Sequence, residues 1–366
     1  GGIDSAAVLA VMNEQTREPV RTFTVGFKDV HDINELEDAR HTAHYFGAEH
    51  QEILMDSIDY RDWLRKCIWH LEEPIGTTSA LPMYFVSQLA REHVKVVLTG
   101  QGADEPLCGY HRYYGERYGH LYRKIPDILL EHFFRPLGES LPRQERIKRA
   151  VRSMGIRDVT ERFLRVYEVF HPEMKKHLWR PDGHPELSNR LAESIVNFWR
   201  NGIDELDPLV QMAYVDTHLS LSDDLLLYGD KMSMAHSVEA RVPFLDLEYM
   251  KIVESLPPSL RIRGLNRKYI HKKSIEKWLP RYIIRRKKRG FETPVDQWFR
   301  SELTGFVKDT LLSKNSACTA YFYHKTIKNL IKDHINGRQD NRRQLFCLLI
   351  FDVWHKTFIQ NQSLQS

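Results

Sequence analysis

The sequence is poor in the features that mark several large classes of protein. Its 4 cysteines form no CxxC pair and no short metal-binding spacing, which argues against a disulfide scaffold and for reduced thiols. No apolar run approaches the ~20 residues that a membrane span requires. The 53 lysines and arginines exceed the 49 acidic residues by only 4, so nucleic acid is not expected as the main partner.

What is present is ordinary for a globular protein. Hydrophobic residues make up 42% and charged residues 28% of the 366 positions, which predicts about two domains in a soluble, cytoplasmic protein. The chain nevertheless opens directly on Gly1-Gly2-Ile3-Asp4-Ser5, with no initiator Met and no leading strand. Because a glycine pair of this kind usually follows another element, we expect the numbering to begin inside a longer protein.

Strand and helix patterns alternate through the first part of the chain. The β-branched and aromatic run Arg21–Phe27 and the apolar run Val94–Thr99 predict strands, with helical spacing between them. This alternation predicts an α/β core with a parallel sheet over residues 1–115. The later patterns are helical, so we predict a helical insertion over residues 116–217 and a further helical part over residues 218–366.

The first five residues have the composition of an anion-binding turn. Gly1 and Gly2 let backbone N–H groups approach an anion, the following helix favours negative charge at its N-terminus, and Ser5 adds a hydroxyl. Asp4 would repel a bare phosphate but could hold a magnesium ion that bridges phosphate oxygens. A glycine turn that simply precedes a helix is the alternative, and this segment alone does not exclude it.

A second glycine-rich segment follows the predicted strand at Val94–Thr99. It reads Gly100-Gln101-Gly102-Ala103-Asp104-Glu105, with Glu105 where a dinucleotide fingerprint needs its third glycine, so a Rossmann site is disfavoured. There is also no G-x-x-x-x-G-K-[ST] sequence. Ligands bind at the carboxyl ends of parallel strands, where Asp104 could share a metal ion with Asp4. A tight turn with solvated acids is the alternative.

Two later blocks concentrate charge. The block Asp223–Asp246 places Asp230, Lys231, Glu239 and Arg241 among apolar residues, so we expect these four charges to be paired, and a structural ion-pair network is the simpler interpretation. Arg285–Phe291 is a basic run beside Gly-Phe. Such a run is usually a solvated face, but a loop in this setting would let a lysine reach a phosphate.

In this order, the blocks resemble the synthetase domain of glutamine-dependent asparagine synthetases. GGIDS at 1–5 matches the last five positions of the family's SGGxDS loop. VVLTGQGADEPLCGY at 96–110, DKMSMAHSVEARVPFLD at 230–246 and RRKKRGFETPVDQW at 285–298 resemble three further family blocks. The resemblance extends from Gly1 to about Phe358.

The resemblance implies a fold and a reaction. The fold is an α/β parallel sheet of the adenine-nucleotide alpha-hydrolase or ATP-pyrophosphatase type, here without its first strand, followed by a large helical remainder. Such enzymes use ATP and Mg²⁺ to adenylate a carboxylate, aspartate by default, with release of pyrophosphate, and ammonia then displaces AMP. In the intact protein a glutaminase domain upstream of this chain would supply ammonia from glutamine. The resemblance leaves homodimer formation open.

The resemblance also implies roles for individual residues. The residues that match ATP and pyrophosphate binding are Gly1, Gly2, Asp4, Ser5, Val25, Thr99 and Gly100. Asp4 and Asp104 match the magnesium ligands, and Lys288 matches the lysine that neutralises the triphosphate. The catalytic set implied is Lys288, Gln101, Asp104 and Glu105. The acceptor pocket or its walls would include Tyr110, Asp230, Lys231, Glu239 and Arg241.

The chain departs from the family pattern in two places. Gln101 stands where well-studied members carry a glutamate, and an amide can orient ammonia but cannot take its proton. Pro106-Leu107-Cys108 replaces Leu-Phe-Gly, which leaves the loop shape open. Two alternatives follow: an adenylating ligase for another carboxylate, as in β-lactam synthetases or peptide-cyclising enzymes, or a non-catalytic nucleotide-binding scaffold.

Overall fold

The computed structural model describes residues 2–28, 35–286 and 293–360. By their contacts they divide into two units, each built from separate stretches of chain. The first unit comprises Gly1–Glu72, Thr77–Tyr110 and Asp216–Pro294, and the second comprises Glu73–Gly76, His111–Val215 and Val295–Ser366. The sequence suggests three domains, with boundaries at residues 115 and 217. That division remains a prediction.

The first unit begins with a parallel strand pair. Strand β1 (Arg21–Phe27) pairs in register with strand β2 (Glu49–Met55), from Arg21 opposite Glu49 to Phe27 opposite Met55. The β-branched and aromatic residues of β1 favour this extended conformation, and its last three residues are buried. A helix connects the two strands, as parallel pairing requires. The predicted strand at Arg21–Phe27 is therefore confirmed.

A second parallel pair lies within the predicted strand Val94–Thr99. Strand β3 (Val96–Leu98) pairs with strand β4 (Glu239–Arg241). In the described part of the chain the four strands form two separate sheets, and side chains connect β1 to the residues before β3. Arg21 Nη1 donates to the carbonyl of His93 at 3.3 Å, and Phe23 stacks on the His93 ring with centroids 5.7 Å apart.

The prediction of a helical part over residues 218–366 misses two extended elements. Strand β4 interrupts the block 230–246, and a short antiparallel hairpin joins β5 (Ile262–Arg263) to β6 (Asn266–Arg267). Both elements are too short to have a recognisable period. Strand β4 depends on the edge that β3 offers, and the hairpin depends on Gly264, whose φ of +57° suits glycine.

The helices of the first unit pack around alanines of its first helix. That helix presents Ala6, Ala7 and Ala10 to buried side chains that include Leu107 and Ile283. The small alanines let the neighbouring elements approach closely. The helices are α1 (Ile3–Gln15), α2 (Leu36–Tyr45), α3 (Ser57–Leu71), α4 (Ala80–Arg91), α5 (Leu227–Met234), α6 (Leu247–Ser255), α7 (Pro258–Arg261), α8 (Tyr269–Ser274) and α9 (Arg281–Ile284), with a π-helix at Thr217–Leu226 and a 3₁₀ turn at Pro243–Leu245.

In the described residues of the second unit the regular secondary structure is helical, apart from one isolated bridge between Trp179 and Phe322. This agrees with the helical character predicted for residues 116–217. Across the described ranges, no helix combines the length and apolarity that crossing a membrane would need. The α-helices are Arg112–Tyr122, Asp127–Leu129, Arg135–Ser140, Glu145–Ser153, Val159–Tyr167, Pro172–Leu178, Pro185–Arg200, Pro208–Asp216, Val295–Arg300, Thr304–Leu312, Cys318–Tyr321, His324–Ile335 and Arg342–Trp354, with π-helical segments at Leu130–Phe134 and His355–Ile359.

A fully buried histidine makes the second unit sensitive to acid. The Nδ1 atom of His334 accepts a hydrogen bond from the backbone N–H of Asn341 at 3.2 Å. Burial lowers the pKa of His334 more than the nearby Asp296 and Asp340 raise it. Protonation of Nδ1 would place its N–H against the N–H of Asn341, so the charged ring could not accept this hydrogen bond. The folded protein therefore holds His334 neutral.

Replacing His334 by Gln is expected to reduce the loss of stability in acid. Because the folded-state pKa lies below the unfolded value, the unfolded chain gains a proton first, and stability falls as pH drops below about 6.5. Urea unfolding at about pH 7.5 and about pH 5.5 measures this loss. The exposed His184 serves as control, and His184→Gln should behave like wild type. An equal loss in wild type and His334→Gln would contradict the prediction.

Candidate active site

The N-terminus of α1 is built to receive an anion. Gly2 occupies the N-cap position in an extended conformation, and no side chain caps the helix there. The first-turn N–H groups and the helix dipole therefore favour negative charge at this end. Ser5 Oγ donates to the carbonyl oxygen of Gly2 at 3.0 Å, which stabilises the turn. Gly1 lies outside the described residues.

The loop after β3 packs directly on this turn. A Cβ atom at Gly100 would lie 2.8 Å from the backbone nitrogen of Ser5 and 2.9 Å from Cβ of Asp4, so only glycine permits the contact. Gly102 adopts a φ of +80° and lies against Leu245. Two glycines thus position the loop that carries Asp104 beside the start of α1.

A buried lysine joins the two acids that the sequence singles out. Lys268 Nζ lies 2.7 Å from Oδ1 of Asp4 and 2.7 Å from Oδ1 of Asp104, and its side chain is only 4% exposed. His271 Nε2 lies 3.4 Å from the same Asp4 oxygen. Burial alone would lower the pKa of Lys268, yet the attraction of the two carboxylates raises it overall. The lysine is therefore charged, and it neutralises one of the two acids.

The pair of acids fits a magnesium ion. Carboxylate oxygens from α1 and from the loop after β3 already converge on one positively charged atom. Mg²⁺ prefers such hard oxygen ligands, and it commonly takes one or two carboxylates together with phosphate oxygens. Asp4 and Asp104 could supply the carboxylates, and an anion at the start of α1 could supply the remaining oxygens.

Gly109 makes room for this cluster. A Cβ atom there would lie 1.8 Å from Oδ1 of Asp104 and 2.3 Å from Cε of Lys268. The departure at residues 106–108 keeps this geometry, since Leu107 and Cys108 are buried and the N–H of Gly109 donates to the carbonyl of Asp104 at 2.7 Å.

Gly109→Ala is expected to lower the free energy of unfolding by about 1–3 kcal/mol, because the methyl group must displace Asp104 or Lys268. Urea denaturation measures the change. Gly305→Ala is the matched control: no atom lies within 4 Å of a Cβ at Gly305, and alanine favours the helix in which it lies. A Gly109→Ala protein as stable as the control would mean that the loop accommodates the methyl group.

Glu105 forms a second, buried acidic position. Tyr110 Oη donates to Oε1 of Glu105 at 2.7 Å, while Oε2 has no hydrogen-bond partner among the described residues. Burial, together with the charge of Asp104, raises the pKa of Glu105 to about 7. The predicted acceptor residue Tyr110 thus contacts the predicted catalytic residue Glu105.

Gln101 is held by polar neighbours from the opposite side of the loop. Its Nε2 donates to the carbonyl of Leu225 at 3.5 Å, and the hydroxyl of Tyr228 bonds both Gln101 and Ser79. Its side-chain oxygen would lie 3.1 Å from a Cβ at Gly229. Gln101 is therefore oriented by the scaffold.

Three of the other predicted acceptor residues, Lys231, Glu239 and Arg241, form ion pairs. Lys231 Nζ donates to the carbonyl of Leu71 at 2.7 Å and to Glu72 at 2.8 Å, at the end of α3. Arg241 and Glu239 pair with each other at 2.8 Å on β4, both more than half exposed. Asp230 is exposed. The Lys231–Glu72 and Glu239–Arg241 pairs are thus distinct from the pairs that Asp4 and Asp104 form with Lys268.

Two further predicted residues lie on or directly after strands of the first unit. Val25 is buried on β1, and Thr99 follows β3 and donates its N–H to the carbonyl of Arg241 at 2.9 Å. Lys288 lies outside the described residues. Before it, Arg286 bonds Thr42 at 2.7 Å.

Sequence reasoning missed Lys268, His271 and Gly109. The segment 266–274 resembles any solvated basic helix, because no local pattern reveals which lysine is buried. One signal was available: two acids predicted to lie close together need a positive charge between them.

A second group of possible metal ligands lies in the second unit. Asp296, His334 and Asp340 offer atoms within 4.8 Å of one another. Arg143 and Arg300 already pair with Asp296, however, so we interpret this group as an ion-pair network.

The sequence matches the asparagine synthase family over residues 1–356. The chain belongs to the asparagine synthase family. It is 30% identical over 365 residues to asparagine synthetase [glutamine-hydrolyzing] 1 of Bacillus subtilis, covering 99% of this chain and 56% of that protein. It is 24% identical to the mouse asparagine synthetase [glutamine-hydrolyzing], over 93% of this chain and 49% of that protein.

Asparagine synthase relatives with other names also match. Amidase chyE of Penicillium rubens is 24% identical over 353 residues, covering 86% of this chain and 51% of that protein. The chain thus spans about half the length of these relatives. As a family member it is a mixed α/β protein with small parallel sheets.

Proposed function

We propose that this chain is the synthetase part of an asparagine synthetase (glutamine-hydrolysing). It would adenylate the side-chain carboxylate of aspartate with ATP, release pyrophosphate, and let ammonia displace AMP to give asparagine. The observation that carries the proposal is the convergence of Asp4 and Asp104 on one cation beside the open N-terminus of α1. A triphosphate needs a phosphate-binding turn and positive charge at one place.

The proposed roles follow from position. The turn at Gly1, Gly2 and Ser5 would bind the pyrophosphate part of ATP, with Gly100 holding the neighbouring loop close. Val25 and Thr99 would line the adenine side. Magnesium bound by Asp4 and Asp104 would neutralise charge on the phosphate oxygens.

The remaining roles concern the second substrate. Gln101 would orient the incoming ammonia without taking its proton. Glu105 and Tyr110 would form a wall of the acceptor pocket. Asp230, Lys231, Glu239 and Arg241 are proposed for the same pocket, and the ion pairs of Lys231, Glu239 and Arg241 suggest that these three residues stabilise its walls.

The sheet is proposed to be of the ATP-pyrophosphatase type. Within the described ranges β1 pairs only with β2, and β3 only with β4, so each keeps an edge that a further parallel strand could pair with. A strand that precedes Gly1 and leads into it could pair with one of these edges. A glutaminase domain upstream would deliver ammonia in the intact protein.

A second candidate is amide formation on another carboxylate. Two observations support this candidate. One relative is named as an amidase, and three of the proposed acceptor residues are held in ion pairs. The adenylation chemistry would be unchanged, and only the acceptor would differ.

Pyrophosphate release from Mg-ATP, with aspartate and ammonium chloride, tests the proposal, and asparagine is then identified in the products. Release that requires a different carboxylic acid would favour the second candidate. A protein that binds ATP but releases no pyrophosphate with any carboxylic acid would be a nucleotide-binding scaffold, and this result would refute the ligase reaction.

Lys288→Ala is expected to slow pyrophosphate release by about 100-fold, because a positive charge on the departing pyrophosphate is lost. The adjacent Lys287 provides the control, and Lys287→Ala should keep near-normal rates. Similar rates for the two variants would show that position 288 has no special role.

A further inference from the structure

The ammonium group of Lys268 occupies the position between the two proposed magnesium ligands. Its Nζ lies 2.7 Å from Oδ1 of Asp4 and equally close to Oδ1 of Asp104. The side chain is almost fully buried, the backbone at Lys268 has a φ of +51°, and the missing side chain of Gly109 leaves the space that Lys268 fills. The lysine is therefore built into the site, and a divalent cation would need the same carboxylate oxygens.

We propose that Lys268 competes with Mg²⁺ for Asp4 and Asp104, so that the metal binds firmly only together with the nucleotide. A divalent cation alone would meet a buried positive charge within a few ångströms, which is unfavourable in a poorly solvated site. A triphosphate changes the balance, since its oxygens offer the ammonium a new partner and give the metal additional ligands. Lys268 thus acts as a positioning residue that couples metal binding to nucleotide binding.

This inference rests on the proposed function for the identity of the nucleotide and the metal. The competition itself follows from the three side chains and can be measured without turnover. His271 on α8 places a second nitrogen, Nε2, 3.4 Å from the same Asp4 oxygen.

Mn²⁺ titration of the full chain without nucleotide, followed through the electron paramagnetic resonance signal of free Mn²⁺, tests the competition. Lys268→Met keeps an unbranched side chain that is one heavy atom shorter, and it removes the charge. This variant is expected to bind Mn²⁺ about tenfold more tightly than wild type. Lys273→Met is the control, since Lys273 lies on the adjoining helix α8, is about half exposed and pairs with Glu276 at 2.7 Å; it should bind like wild type. A non-hydrolysable ATP analogue should raise the affinity of wild type more than that of Lys268→Met.

Equal Mn²⁺ affinities of wild type and Lys268→Met without nucleotide would overturn the inference. The tighter Mn²⁺ binding of Lys268→Met should be lost when Asp104→Asn is added. Tight binding by the double variant would also contradict the inference. If Lys268→Met folds poorly, Lys268→Gln replaces it. Mn²⁺ should then raise the thermal unfolding midpoint of the variant more than that of wild type. Equal shifts would refute the competition. Pyrophosphate release by wild type is measured separately, so a failure of the proposed reaction is distinguishable from a failure of this inference.

Discussion

Asp104→Asn is expected to reduce pyrophosphate release by about 1,000-fold while the protein stays folded. Asparagine keeps the shape of the side chain but removes the charge, so one of the two acids that converge on a single cation is lost. Asp4 still pairs with Lys268 and should preserve the local structure. Initial rates with saturating Mg-ATP, aspartate and ammonium measure the effect, and circular dichroism checks the fold.

The matched control is Asp62→Asn. Asp62 is about half exposed, at 51%, and pairs with the neighbouring Arg61, so this variant should retain the wild-type rate. The magnesium dependence of Asp104→Asn should also shift to higher concentration. A near-normal rate with an unchanged magnesium dependence would remove Asp104 from the site, and with it the main support for the proposed reaction.

The parts of the fold that the sequence predicts are those with a local signal. Strand β1 has seven residues of β-forming character, and the structure gives it the predicted bounds Arg21–Phe27. Strand β4 has only three residues, and it is extended because β3 lies beside it. A partner more than a hundred residues away leaves no trace in the local period, so this strand could not be predicted from its own residues.

The candidate site also contains residues that have a local sequence signal and a residue that has none. Asp4 and Asp104 each stand beside glycines at the end of an element, which made them recognisable in the sequence. Lys268 reaches Asp4 across 264 positions of sequence. Its burial depends on a left-handed backbone and on Gly109, and neither has a signature in the basic segment that contains the lysine. The acids could be predicted, but the lysine between them needed the fold.

Glu116→Gln is expected to cost about 3–5 kcal/mol of unfolding free energy, which is a large effect for one atom replaced. Glu116 and Arg162 are each only 2% exposed and form two hydrogen bonds, of 2.6 Å and 2.8 Å. Arg162 also donates to the carbonyl of Ile156 at 2.7 Å, so it cannot leave without disturbing the chain before its helix. The glutamine would leave a buried guanidinium without its counter-charge. Urea denaturation measures the loss.

Two further variants separate a buried charge from an ordinary ion pair. Glu161, on the same helix as Arg162, is 50% exposed and lies 3.4 Å from Arg165, so Glu161→Gln should cost less than about 1 kcal/mol. The double variant Glu116→Gln with Arg162→Met should recover part of the stability lost in Glu116→Gln, because the unpaired charge is then gone. If Glu116→Gln were no more destabilising than Glu161→Gln, the pair would contribute little. The second unit would then owe its stability to apolar packing around the helix Val159–Tyr167, in which Phe163 is buried.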